Sequence, residues 1–288
     1  GAIWLDRSGK EHVQSASLVI VAANGVGTAR LLLMSKSARF PDGLANSSGM
    51  VGKNLMMHPY SIVTGTFEEN AESWLGPMGE LINSTEFYET DEKRGFVRGA
   101  KWNCTGSGGP LGIWGQYKSL DMNQAWGVNF HTTIKKHFGT TIRWGIIAED
   151  LPEEVNRVEL DTEMVDSDFL PAPKVIYRAS ENTKKLINFH IERATEALYA
   201  SGAKEVQAIP MLRHTGWHLL GTARMGTDPK TSVVNENCQT HDVPNLYIID
   251  GSVFVTSGGV NPTATICAIA LRTARHLIKE RHKLEVHV

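Results

Sequence analysis

Three short stretches hold the residue types that can do chemistry. In "GWHLLGTARMGTDP" (216–229), His218 lies in an apolar run, and Gly221 and Gly226 flank the "TARM" that follows. A histidine in a dry pocket can accept a hydroxyl proton near neutral pH. The same pattern also suits a histidine packed in a core strand. "NLYIIDGS" (245–252) is an apolar strand ending in Asp250, Gly251 and Ser252. Such an ending lets backbone N–H groups come close to a ligand, or it is an ordinary turn. "SGGVNPTAT" (257–265) places Asn261 at an N-cap and Pro262 at the first helical position, which starts a helix well on local grounds alone.

The third stretch has a functional reading as well. A helix start offers unpaired N–H groups and about half a positive charge. It stabilises an anion, or a ring that becomes one. A flavin fits this description, because its N1–C2=O edge gains negative charge when hydride reaches N5. Asn261, Pro262 and Thr263 are the residues at that start.

Other chemistries find less support. Lys+Arg is 29 and Asp+Glu is 31 in 288 residues, for a net charge of −2, and the basic residues are scattered. No field points to nucleic acid. No apolar run approaches the roughly 20 residues that span a bilayer, so the chain reads as soluble, with no compartment assigned. Cys104, Cys238 and Cys267 form no C-x-x-C, so neither a metal site nor a disulfide framework is expected.

The elements that must position these residues are legible in outline. Residues 1–25 open in the middle of a strand, turn at "DRSGK" and return as a strand. With Gly1 in first place and no signal peptide, the chain reads as a piece of a longer protein. Leu18–Ala22 reads as a parallel strand covered on both faces, and Gly25-Val26-Gly27 opens a helix carrying Leu31–Met34. This imitates a dinucleotide fingerprint, but Arg30 stands where a third glycine should be, and no acid-ending strand follows about 20 residues on.

From Tyr60 to about Pro210 the stretches "WGVNFHTTI", "TTIRWGIIAED", "NRVELDTE" and "KVIYRAS" predict an antiparallel sheet. "KWNCTGSGGPLG" reads as a plain connecting loop. One helix interrupts, capped by Ser180 and ended by Gly202, with Leu186, Ile187, His190, Ala194, Ala197 and Leu198 facing inward. A last helix runs from Pro262 to about Lys279, with Ile266, Ala270, Ala274 and Leu277 on one face.

Taken in order, "GWHLLGTARMGTDP" and "NLYIIDGSVFVTSGGVNPTATICAIALRTARHLI" resemble the C-terminal part of the glucose–methanol–choline (GMC) oxidoreductases. "VIVAANGVGTARLLLMS" and "GLANSSGMVGKNLMMHP" resemble them too. The resemblance implies FAD-dependent oxidation of sugars, polyols or other alcohols. It assigns the catalytic pair to His218 and Asn261, the His/Asn form found toward pyranose oxidases and fructose and gluconate dehydrogenases. It assigns FAD contacts to Asp250, Gly251, Ser252, Asn261, Pro262 and Thr263, and puts His58 near the flavin with no role given.

The class it implies is mixed α/β (α+β), a partial Rossmann-like FAD-binding domain beside an antiparallel-sheet substrate domain. The expected bounds are 1–57 and 213–288 for the former and 58–212 for the latter. The family's opening G-x-G-x-x-G unit is not in this sequence. That leaves a second reading: a non-catalytic fragment, or a subunit that completes a flavin site only with a partner chain. A third keeps the fold and replaces redox by lyase chemistry. The substrate, and the electron acceptor among oxygen, quinone and cytochrome, stay open.

Overall fold

The structure, a computed structural model, describes residues 1–75, 82–106, 108–120, 126–212 and 217–281. Ser107 of the expected connector and Gly216 beside the candidate base lie outside the described residues.

The chain opens with an antiparallel hairpin, β1 (Ala2–Leu5) and β2 (Glu11–Gln14), as the "DRSGK" turn predicts. Strand β3 (Val19–Val21) and helix α1 (Asn24–Met34) follow. Next come β4 (Tyr60–Thr66), β5 (Ile82–Ser84), β6 (Ala100–Gly106), α2 (Pro110–Leu120), α3 (Phe130–His137), β7 (Thr141–Ala148), β8 (Arg157–Val165) and β9 (Pro171–Ile176). The remainder is α4 (Glu181–Ala200), β10 (Glu205–Ile209), β11 (Leu246–Ile248) and α5 (Thr263–Lys279).

Two cores result. Strands β10, β4, β7, β6 and β5 form a five-stranded sheet in that order, antiparallel throughout. Helix α4 packs Leu186, Ile187, Ala194 and Leu198 against its Val63, Ala100, Trp102 and Ile146. Helix α4 starts where Ser180 Oγ accepts the Thr183 amide at 3.0 Å, and the chain leaves it through Gly202 at φ +98°. The second core joins Val21 and Leu32 to Val233, Val234, Leu246, Ile248 and Val253. Here β3 pairs in parallel with β11, in register Val19–Leu246 through Val21–Ile248.

The structure corrects several expectations. "WGVNFHTTI" contributes α3, because His131, Ile134 and the lysines after it follow helical rather than alternating spacing. "KWNCTGSGGPLG" divides between strand β6 and the start of α2. β8 and β9 form a separate hairpin that packs on α1. There Val158 joins Ala29 and Leu55, and Arg30 Nη2 bonds Asp166 at 2.6 Å. That ion pair is the local reason for an arginine where the dinucleotide pattern has glycine.

Strand β3 is covered on one face only: Val21 is buried, but Ile20 is 47% exposed. On α5 the inward face is Ile266, Ile269, Ala270, Thr273 and Leu277, while Ala274 is exposed. Among the described residues, no helix is long and apolar enough to cross a membrane.

Candidate active site

The site forms where the five-stranded sheet meets the start of α5. Residues 56–58 lie antiparallel to residues 217–220: Met56 and Leu220 exchange both backbone hydrogen bonds at 3.0 and 3.1 Å, and the His58 amide reaches the Trp217 carbonyl at 3.4 Å. This pairing brings two imidazoles together across 160 residues, with His58 Nδ1 2.7 Å from His218 Nδ1.

His218 is not on a strand. It occupies a bend with φ +59°, a left-handed conformation that costs a non-glycine residue about 1 kcal/mol or more. The bend takes its ring out of the strand pairing and toward Asn261, whose Nδ2 lies 3.4 Å from His218 Nε2. Asn261 does not cap the helix. Pro262 is the N-cap, without a side-chain cap bond, so the sequence places the helix start one residue early. The Asn261 carboxamide is committed to the site instead: its Oδ1 accepts a hydrogen bond from Lys101 Nζ at 3.1 Å.

The glycine-rich turn before Asn261 is fitted to the sheet. Ser257 Oγ accepts the Asp150 amide at 2.9 Å and contacts the Asp150 carbonyl at 3.1 Å. The Gly259 amide donates to Tyr88 Oη at 2.7 Å, and a Cβ at Gly259 would meet Tyr88, Ile147 and Ala100. The loop therefore needs glycine to lie flat on β6 and β7, and that seating brings Asn261 within reach of Lys101.

Burial governs the electrostatics. It pushes the His58 imidazole down to about 4, with the neighbouring His218 as second cause. His218 is also lowered, by burial first and then by the Lys101 charge. Both rings are therefore neutral at pH 7, the state a base requires. Asp150 is raised to about 6 by burial, against hydrogen bonds from Tyr177, Met57, Thr183 and Leu151. It ties the segment after β7 to Met57 ahead of β4, to Tyr177 after β9 and to the start of α4.

Asp250, Gly251 and Ser252 lie behind this site and are buried. Asp250 accepts from Thr28 Oγ1 at 2.5 Å and from the Ser252 amide at 2.8 Å, which ties α1 to the 3₁₀ turn Gly251–Val253. Gly251 and Gly25 face the same atom: a Cβ on either would stand 2.7 or 2.6 Å from the Leu219 carbonyl oxygen. Their lack of side chains thus has a packing reason inside the chain. Ser252 Oγ is buried without a hydrogen-bond partner, and the His58 ring is buried against the Gly258 and Ser257 backbone, which favours its protonated form and partly offsets burial.

The residues at the α5 end fit the reactive edge of a flavin. Half-buried His218, exposed Asn261 and Thr263, and the helix start itself share one open face. The structure brings together His218 and Asn261, which the sequence singles out, with Lys101, Asp150 and Tyr88 nearby, which it does not. Lys101 carries a readable signal, a lone cation in a strand whose neighbours Ala100 and Trp102 are core residues.

Among the described residues, an antiparallel sheet therefore meets a partial parallel layer, with a histidine and an asparagine facing each other at a helix start. The GMC oxidoreductase family model matches residues 152–270. The chain is 41% identical over 284 residues to 2-methyl-1,2-propanediol dehydrogenase of Mycolicibacterium austroafricanum, covering 96% of this chain and 50% of that protein. It is 30% identical over 279 residues to the fructose dehydrogenase large subunit of Gluconobacter japonicus, again covering 96% and 50%. Pyridoxine 4-oxidase from Mesorbium loti shares the fold, with TM-score 0.58 and 14% identity over 95% of this chain and 53% of that one. The chain belongs to the GMC oxidoreductases, in their C-terminal portion. It spans about half the length of the curated relatives it matches. The family is generally FAD-dependent.

Proposed function

We propose that this chain supplies the catalytic and substrate-side half of an FAD-dependent enzyme oxidising CH–OH groups of sugars, polyols or other alcohols. One observation carries the reading: His218 Nε2 and Asn261 Nδ2 lie 3.4 Å apart at the start of α5, though 43 positions separate them in sequence. FAD bound there would supply the hydride acceptor. Asn261, Pro262 and Thr263 would hold its pyrimidine edge, with Asp250, Gly251 and Ser252 as the wall behind.

His218 takes the substrate hydroxyl proton at Nε2. Asn261 donates from Nδ2 to the same oxygen and fixes the angle at which the carbon approaches. The division into residues 1–57 and 213–288 on the cofactor side and 58–212 on the substrate side follows the two cores, with the β8–β9 hairpin crossing between them.

A base of this kind contributes about 10²–10⁴-fold in rate. His218→Ala should slow flavin reduction by substrate, followed by stopped-flow absorbance in the flavin-loaded enzyme, by about that factor. Near-normal reduction by the variant would remove His218 from the role.

A second reading has its own support. The outer face of α5, with Leu271 53% and Ile278 63% exposed, and the bare face of β3 are apolar. They suit a chain that completes its flavin site against a further segment or a partner. Titrating the isolated chain with FAD distinguishes the two: retained yellow colour after gel filtration favours a self-sufficient site.

A further inference from the structure

Lysine has three N–H donors and no acceptor, whereas a carboxamide has an acceptor at one end and donors at the other. Lys101 Nζ holds Asn261 at Oδ1, so the Nδ2 end must be the one facing His218 Nε2. An amide nitrogen can only donate, so His218 Nε2 can only accept. A neutral imidazole with a bare Nε2 carries its proton on Nδ1. That proton lies between His218 Nδ1 and His58 Nδ1, 2.7 Å apart, and leaves His58 Nδ1 as the acceptor. Each orientation follows from the one before it, and the only member without a choice is the ammonium at the start.

We propose that Lys101 is a positioning residue that sets the direction of the hydrogen-bond chain Lys101→Asn261→His218→His58, holding His218 in the tautomer whose bare Nε2 faces the site. The proposal rests on the reading of His218 as the base. The opposite direction would turn the Asn261 amide protons toward an ammonium and leave two donors opposed. Lys101 is 8% exposed on β6, so its charge is weakly screened by water and polarises the carboxamide it holds. The Asn261 N–H thereby becomes a stronger donor toward the substrate oxygen as negative charge grows on it. The same charge disfavours protonation of His218, which keeps the base in its working form.

The test is long-range proton–nitrogen correlation on the ¹⁵N-histidine-labelled chain, which reads the tautomer of each imidazole. The wild type should show His218 protonated at Nδ1. Lys101→Met should give a mixture of the two tautomers, and Lys101→Arg should restore the Nδ1–H form, since a guanidinium also only donates. A wild-type His218 protonated at Nε2, or a Lys101→Met spectrum unchanged at His218, overturns the proposal. Should Lys101→Met fail to fold, Asn261→Leu at an exposed position breaks the chain at its second link and is read by the same two outcomes.

In the flavin-loaded enzyme, Lys101→Met should slow flavin reduction about tenfold or more, with Lys101→Arg recovering most of it. Reduction by Lys101→Met at the wild-type rate also overturns the proposal. A tautomer that follows Lys101 as expected, together with near-normal reduction by His218→Ala, would sink the base reading alone.

Discussion

The sheet core and the parallel layer are finished to different degrees. In the first, α4 packs on one face of the sheet, and Leu186, Ala194 and Val63 are fully buried. In the second, β11 is buried at all three positions while its neighbour β3 leaves Ile20 bare and α5 shows Leu271 and Ile278 to solvent. An exposed Leu needs no explanation singly; together these exposed side chains mark the parallel layer as the less covered of the two. The imidazole pair and Lys101 stand on the seam between the two regions. The sheet side supplies the Lys101 cation, and the other side supplies the helix start and the proposed base, His218.

The contrast can be broken most directly in the sheet core. Leu186→Ala should cost about 2–5 kcal/mol of stability, measured by urea denaturation, and a loss below 1 kcal/mol would show that this core is not the firm half. The seam should respond to acid. His58 is held near 4 in the folded chain against 6.5 when unfolded, so folding disfavours its proton. Its contribution is complete above pH 6.5 and is lost as pH falls through 4, by at most about 3 kcal/mol. Wild-type urea midpoints should therefore fall more steeply than those of His58→Gln across that window, and parallel curves would contradict the assignment. On the bare face, Leu271→Gln should change stability by no more than about 0.5 kcal/mol. A larger loss would mean that α5 already has cover in solution.

The same division explains what the sequence made visible. Helix α4 is marked by its own residues, Ser180 at one end, Gly202 at the other and an apolar stripe between, so local chemistry was enough. The strand-to-helix passage into α1 is equally local. His218 and Asn261 were legible through their surrounding motifs. Their conformations were not: the left-handed turn at His218 and the one-residue shift at Pro262 are imposed by contacts with residues 56–58 and with Lys101. Lys101 itself lies in a stretch whose glycines suggested a loop, and only its pairing with Ile147 on β7 turns that stretch into a strand. Ala274 was assigned inward by strict helical spacing. Which face of α5 is covered depends on neighbours that periodicity does not report.

One small arrangement reaches further than its size suggests. The Leu219 carbonyl is clasped between Gly25 and Gly251, and Leu219 directly follows His218 in the chain. A single methyl on either glycine would lever the adjoining ring off its alignment from a position buried far behind the open face. A tolerance map of the protein would then mark both glycines as sensitive to any side chain, because each leaves room for a neighbour's backbone.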